Sequence, residues 1–505
     1  MNAFILKLFD AFHSECISYC HFKSNNNLRP ALAGVDDLDL LVARADATRF
    51  IELIAAHGFK LATDRNSVPA PFVFHFFGVD PETGLIVHLH VYFRIVTGGS
   101  ILKNHWIPVE SMFLANVQPN GDGGVMIPCA EADLILFVIR KFIEQPSIIE
   151  HYLFLKDFKN IRAELDWLIA RADRARLRTL VAEWLPEISV QLVDRCVDTL
   201  LGKSSVLERV RLGRQVRKCF TNTACDEWKA SLMRTAMFVG AHLRARIGSR
   251  RKDRYVFPGG MIVAFLGSEA SGKSTLSKEI ASWLSSRFDV CHIHLGKPPK
   301  NWRTRPAWWL ISTYVKLKAA VKPQRADRAT PVGDDEVVAD GRAGNNLPHP
   351  LVSWLDSIDR RRWLMLHARK MMEGCIVVTD RYPAPRPGLD GARISASGPL
   401  TRWLASREAA NYMGLPGPDI VFKAVAPLEV TLQRNSLRAA PEPESFVRAR
   451  YALAKDVSFP GTTMIEVDTT RTLEATLVDV KQAVWFGAPL PDATPAPAPS
   501  ISCKR

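Results

Sequence analysis

Residues 267 to 275 read GSEASGKST, directly after the apolar run Met-Ile-Val-Ala-Phe-Leu. A glycine-rich turn between a buried strand and a helix gathers main-chain N–H groups around one point. The N-terminus of the helix adds a favourable dipole, so the spacing fits a loop that cradles phosphate. In this reading Gly267, Ser268, Glu269, Ala270, Ser271, Gly272 and Thr275 form the cradle. Lys273 reaches the β- and γ-phosphates of a nucleotide, and Ser274 ligates Mg²⁺.

Two further stretches offer charge at the right places. CIVVTDRYP (375–383) delivers Asp380 and Arg381 from a short buried strand. The carboxyl edge of a parallel sheet is where such folds bind ligands. There Asp380 could hold Mg²⁺ through water and Arg381 a phosphoryl group in two-point fashion. The structural alternative is a turn cap and a surface ion pair. PDIVFKAVAPLEVTLQRNSLR (418–438) reads as a strand followed by a helix with Arg434 and Arg438 four apart. Two guanidinium groups on one face can clamp a transferring phosphoryl group, or they can form a solvated helix face.

The N-terminal stretch FKSNNNLRPALAGVDDLDLLV (22–42) raises a second chemistry. Side chains alternate along a strand, so Asp37 and Asp39 share a side and could present a metal-binding pair of carboxylates. A later strand, IVHLHVYF, carries His88 and His90 in the same i, i+2 relation, suited to a metal, a pocket wall or a buried core. Lys23 and Arg29 are available for an anionic ligand.

The elements that must position these groups follow from periodicity. Helical spacing runs over 3–21, placing Cys16 and Cys20 as small packed hydrophobes. LDLLVA (38–43) and GLIVHLHVYFRIV (84–96) predict strands, and 130–240 is mostly helical. A basic segment with Arg244, Arg246, Arg250, Arg251, Lys252 and Arg254 ends at Phe257-Pro258-Gly259-Gly260, the punctuation of a boundary. From 261 to about 485 strands and helices alternate, as in a parallel α/β sheet. Residues 322–350 predict a mobile loop, and the Pro-Ala-rich tail predicts an extended or disordered end.

A chain of 505 residues is too long for one ordinary core. The net charge of +14 favours anionic partners, nucleotide phosphate first. Nine scattered cysteines without a CxxC pair fit a reducing cytoplasm, and the N-terminus lacks a signal-peptide pattern. No uncharged stretch of 18 residues predicts a membrane span. PAWWLISTYV (306–315) is too short to cross a bilayer; of an interfacial and a buried helix, the buried one is expected. No motif points to sequence-specific nucleic-acid recognition.

Four motifs in order, GSEASGKST, SIDRRRW (357–363), TDRYP and PGPDIVFKAV with VTLQR, resemble the thymidylate kinase family of P-loop nucleoside monophosphate kinases over about 260–480. The resemblance implies ATP and Mg²⁺ as cofactors and a phosphoryl acceptor near Glu269. It places Arg360, in the pair Asp359-Arg360, on the acceptor nucleotide and Arg381 on the acceptor phosphate, with Arg434 and Arg438 as lid arginines. The sequence departs from that family after Tyr382. PAPRPGLDGARISASG (383–398), with Asp390 and Arg393, stands where thymidylate kinases complete the thymidine site, and 300–350, with Trp302, Trp308 and Trp309, is an insertion. Residues 22–42 are similar to a nucleotidyltransferase fold in their Lys-Ser, Gly-x-x-Asp and Asp-Leu-Asp order. They differ in having Lys23-Ser24 for a glycine pair and histidines where a third carboxylate belongs.

The expected architecture is therefore α/β: a parallel-sheet P-loop kinase domain (256–486), an α+β nucleotidyltransferase-like domain (1–128), a helical connector (129–255) and a tail (487–505). The expected function is phosphoryl transfer from ATP to a nucleoside monophosphate or related phosphorylated small molecule, with an N-terminal domain that binds without catalysing transfer. Two alternatives stand beside it: a bifunctional nucleotidyltransferase-kinase, and a non-enzymatic nucleotide sensor. A homodimer is compatible with all three.

Overall fold

The computed structural model describes residues 1–65, 70, 72–99, 102–121, 124–144, 158–202, 206–224, 254–321, 348–384 and 389–487. The chain divides into two compact units, Met1–Asp253 and Arg254–Arg505. Of the loop predicted at 322–350, residues 348–350 instead open a helix, whereas 322–347, the basic segment up to 253 and the tail from 488 lie outside the described residues.

The first unit opens with α1 (Ala3–Ser14), capped by the Asn2 side chain, which accepts from the Ile5 N–H at 3.1 Å. Its buried face is Ile5, Leu8, Phe9 and Phe12. Helix was expected to continue to 21, but it stops at Ser14; Cys16 takes a left-handed φ of 51° and the chain enters strand β1 (Tyr19–His21). The sheet explains the override. Tyr19–His21 pairs antiparallel with β2 (Leu38–Val42) and buries its side chains, which a helical continuation would forfeit. Cys20 is buried as expected, on a strand instead of a helix, whereas Cys16 is exposed.

With β3 (Lys60–Asp64), β4 (Val73–Val79) and β5 (Ile86–Tyr92), the strands run in the order β1-β2-β5-β4-β3. Only β2 and β5 are parallel among these pairs. Period-two alternation sorts the side chains. Leu38, Leu40 and Val42 of β2 and Val87, Leu89 and Val91 of β5 join the core with α1. Leu41 and Tyr92 point the other way, into a core built with helices α2 (Ala130–Ile143), α3 (Phe158–Ile169), α4 (Arg174–Trp184), α5 (Val190–Leu201) and α6 (Val206–Cys219). Asp39, His88 and His90 share that second face. A hairpin, β6 (Val96–Gly99) and β7 (Leu102–Trp106), follows the sheet.

The second unit is built on five parallel strands: β8 (Ile262–Gly267), β9 (Val290–His294), β10 (Ile376–Asp380), β11 (Ile420–Val425) and β12 (Thr463–Asp468). Their spatial order is β9-β10-β8-β11-β12. Every residue of β8 is buried, the mark of a strand covered on both faces. Ile262, Ala264 and Leu266 pack with Leu364 of α9 (Pro348–Met372) and Ala454 of α12 (Glu444–Lys455). The remaining helices are α7 (Lys273–Ser285), α8 (Arg305–Val321), α10 (Pro399–Tyr412), α11 (Leu428–Ser436) and α13 (Leu473–Phe486). Residues 306–315 are helical, but the expected burial fails: Trp309, Leu310 and Tyr314 are exposed.

Candidate functional site

The central strand β8 ends where the glycine-rich loop begins. At Gly267, with φ +150°, a Cβ would lie 2.5 Å from Ser271 Oγ and 2.7 Å from the Ala424 carbonyl, so only glycine fits. Ala270 (φ 58°) and Gly272 (φ 90°) are also left-handed, and Gly272 caps α7. Alternating handedness of this kind turns successive N–H groups into one concavity, a nest for an anion. Ser271 Oγ is buried with no hydrogen-bond partner.

Lys273, the first residue of α7, is buried and donates from Nζ to the Ser268 carbonyl at 2.8 Å. Burial pushes its ammonium down to about 8, with Glu269 opposing and Arg381 and Arg450 assisting. Ser274 Oγ donates to Asp380 Oδ2 at 2.8 Å. Asp380 closes β10 beside β8 and β9, and the register brings His294 opposite it, with Nδ1 2.5 Å from Asp380 Oδ1. Burial alone would raise the Asp380 carboxyl; His294, Ser274 and Arg381 outweigh it and hold it below its ordinary value. An ionised carboxylate and a hydroxyl at one sheet edge, next to a phosphate nest, are the donor set of a hard divalent cation such as Mg²⁺.

Two buried carboxylates organise the cations around this edge. Glu269 faces Arg381 at 3.1 Å, Arg450 Nε at 3.1 Å, Arg438 at 3.6 Å and Lys273 at 3.7 Å. Asp390 faces Arg450 at 2.9 Å, Arg393 at 3.7 Å and Arg381 at 3.9 Å. Burial opposes ionisation of both, and the surrounding cations overcome it, so both carboxyls titrate below their ordinary values. Arg434 donates to the Thr469 carbonyl at 2.7 Å, just past β12. Arg438 lies beyond the end of α11, not on it as the spacing suggested. Both arginines nevertheless line one cavity of about 390 Å³, together with Lys273, Arg381, Arg471 and the carboxylate of Glu269. Five cations against one carboxylate suit a polyanion.

No protein-family model matches the chain. The chain is similar to the uncharacterized ATP-binding protein YghS of Escherichia coli (strain K12), with 25% identity over 228 residues, 41% of this chain and 85% of that protein.

Of the residues singled out from sequence, the nest, Lys273, Ser274, Asp380, Arg381, Arg434 and Arg438 converge at this edge. Arg360 is buried, donating to the carbonyls of Asp390 (2.9 Å) and Gly296 (3.1 Å), and lies 3.4 Å from Tyr412 Oη. Its neighbour Asp359 accepts from Thr304 Oγ1, Trp308 Nε1 and the Asn301 N–H. Sequence reasoning missed Arg450 and His294. His294 had a signal, the alternation His292, His294 at the end of a short strand. Arg450 had none; only packing brings α12 against Glu269 and Asp390.

In the first unit, Asp39 lies opposite His90 in the parallel ladder, and His90 lies opposite His75 in the antiparallel one. His90 Nδ1 is 2.9 Å from Asp39 Oδ1, and Lys23 Nζ is 3.3 Å from the same oxygen. Burial would raise the Asp39 carboxyl, but Lys23 and His90 hold it well below the usual carboxylate range. Lys23 and Lys103 both reach the hydroxyl of Tyr92. Burial brings Lys23 to about 8, and burial with the repulsion of Lys23 brings Lys103 to about 7. Asp37, just ahead of β2, pairs with His88 at 2.6 Å. Among the described residues, no group of three or more His, Cys, Asp or Glu side chains is arranged to hold a metal ion.

Proposed function

We propose that the Arg254–Arg505 unit transfers the γ-phosphoryl group of ATP, with Mg²⁺, to a phosphorylated small molecule, a nucleoside monophosphate or a compound of like charge. The observation that carries the reading is the Ser274–Asp380 pair at 2.8 Å, set at the mouth of a phosphate nest with Lys273, Arg381, Arg434 and Arg438 on one cavity. The strand order and the motif order both fit a P-loop nucleotide kinase, and the name of the Escherichia coli relative supports ATP as the nucleotide.

Ser274, and Asp380 through water, are the residues that would hold Mg²⁺. When bound, that ion neutralises the phosphate oxygens around the transferring group. The protein's own part is electrostatic. Lys273 and the nest receive the β- and γ-phosphates, and Arg434 with Arg438 covers the nucleotide side. Arg381 holds the acceptor phosphate, whose oxygen attacks the γ-phosphorus as the bond to the β–γ bridging oxygen breaks and ADP leaves with the electron pair. An acceptor phosphate is already largely ionised at neutral pH, so the step needs no general base. Glu269 and Asp390 keep Arg381 and Arg438 in place between turnovers.

For the first unit we infer binding of an anionic ligand without nucleotidyl transfer. The supporting observation is that Lys23 and His90 already occupy the Asp39 carboxylate that a metal would need.

The test is a panel of phosphorylated acceptors with purified protein, ATP and Mg²⁺, reading ADP and product mass. Lys273→Ala should lower turnover by roughly 100-fold or more while the fold persists. Unchanged turnover in that variant refutes the kinase reading.

A further inference from the structure

Among the described side chains, helix α8 is held to its unit through the face that meets Asp359. Asp359 accepts hydrogen bonds from Thr304 Oγ1 at 2.8 Å, from the Asn301 N–H at 3.1 Å and from Trp308 Nε1 at 3.1 Å, all at the N-terminal end of the helix. This turns Trp308 toward α9, with Lys300 over its ring at 4.4 Å. The other side of the helix then faces out. Trp309 is 66% exposed, Leu310 61%, Tyr314 51% and Leu317 61%. With Pro306 they follow the spacing i, i+3, i+4, i+8, i+11, a single stripe along about three turns.

The charges carried by this stretch of the chain are of one sign. From Lys297 to Leu317 the sequence carries Lys297, Lys300, Arg303, Arg305 and Lys316, and no Asp or Glu. Trp302, also exposed, adds an indole beside Arg303. Aromatic rings with polar edges, aliphatic neighbours and flanking cations suit the boundary between lipid headgroups and acyl chains. A second copy of the chain is a poor occupant, since this stretch would bring its own cations against themselves with no carboxylate to answer them. No helix among the described residues is long and apolar enough to cross a membrane, so the helix would lie flat.

We propose that the exposed face of α8 docks on the surface of an anionic lipid bilayer, with Trp309, Leu310, Tyr314 and Leu317 entering the headgroup boundary and Lys300, Arg303 and Arg305 meeting lipid phosphates. The inference does not rest on the phosphoryl-transfer reading, because it concerns a different face and needs no nucleotide.

Co-sedimentation of the full chain with vesicles, without ATP, tests it. Vesicles of phosphatidylcholine and phosphatidylglycerol should carry the protein down, and phosphatidylcholine alone should not. High salt should weaken the binding, because exposed charges are screened. Trp309→Glu with Leu310→Glu should weaken binding roughly tenfold or more, as two large side chains no longer leave water. Arg303→Glu with Arg305→Glu should weaken binding to the mixed vesicles as well. Both double variants change exposed side chains, and an unchanged melting temperature confirms that each is folded. Failure of the wild-type chain to bind the mixed vesicles overturns the proposal, as does equal binding by the Trp309/Leu310 variant. Sedimentation equilibrium in which that variant loses a dimer, with no vesicle binding by either protein, assigns the face to a second copy and overturns it too.

Discussion

Replacing Arg450 by methionine keeps most of the aliphatic length of the side chain and removes the guanidinium that joins two buried carboxylates. Arg450 Nε is 3.1 Å from Glu269 and its Nη2 2.9 Å from Asp390; all three side chains are buried. Removing one partner of a buried ion pair costs about 3–5 kcal/mol, because a charge is left uncompensated. Here the lower end applies, about 3 kcal/mol. Glu269 keeps Lys273, Arg381 and Arg438, while Asp390 keeps Arg393 and Arg381. For a unit of this size each kcal/mol moves the midpoint by about 2–4 °C, so the loss should be about 6–12 °C. Calorimetry of the full chain is the assay, read as the shift between wild type and variant scanned under the same conditions. Arg450→Lys restores the charge but not the two-point fork, so it should recover only part of the loss. A shift below about 2 °C in Arg450→Met would refute the reasoning that this arginine pins the Glu269 carboxylate to the Asp390 loop.

A pH test addresses the first unit. Burial pushes the Asp133 carboxyl up to about 7, with the hydrogen bond from Asn25 opposing. An acid whose folded value is raised contributes stability present below its unfolded value near 4 and lost as pH rises through about 7, up to roughly 4 kcal/mol. Asp133→Asn should therefore gain stability relative to wild type as pH rises from 4 to 8, measured by urea midpoints across that range. A pH-independent difference would show that Asp133 is not held protonated. The full chain with Mg²⁺ and each of the four ribonucleoside triphosphates should release no pyrophosphate. Robust release that Asp37→Asn stops would promote the bifunctional enzyme over a binding-only first unit.

Wherever a local pattern coincided with the tertiary environment, the sequence was sufficient. The apolar run before Gly267, the glycine spacing and the helix from Lys273 all appear within a residue or so of their expected places. Backbone sterics at glycine and the burial of a central parallel strand are local properties, readable one segment at a time. The i, i+2 relation of Asp37 with Asp39 and of His88 with His90 also translated into neighbours, because alternation across a pleated sheet is fixed by the chain itself.

What the tertiary structure decided concerns partners far apart in the chain. Helical periodicity alone carried residues 15–21 onward as helix, and the edge of β2 took Tyr19–His21 instead, since pairing and burial there outweigh propensity. The apolar look of 306–315 said nothing of which side would find a cover. Asp359, more than forty positions on, claims Trp308 and leaves Trp309, Leu310 and Tyr314 facing out. Arg450 meets Glu269 and Asp390 only because α12 crosses the carboxyl edge of the sheet, and no spacing in the sequence encodes that crossing. Types and spacings of residues determined which chemistry was available; long-range packing determined which charges answer each other, because electrostatic energy depends on distance in space and on exclusion of water, not on separation along the chain.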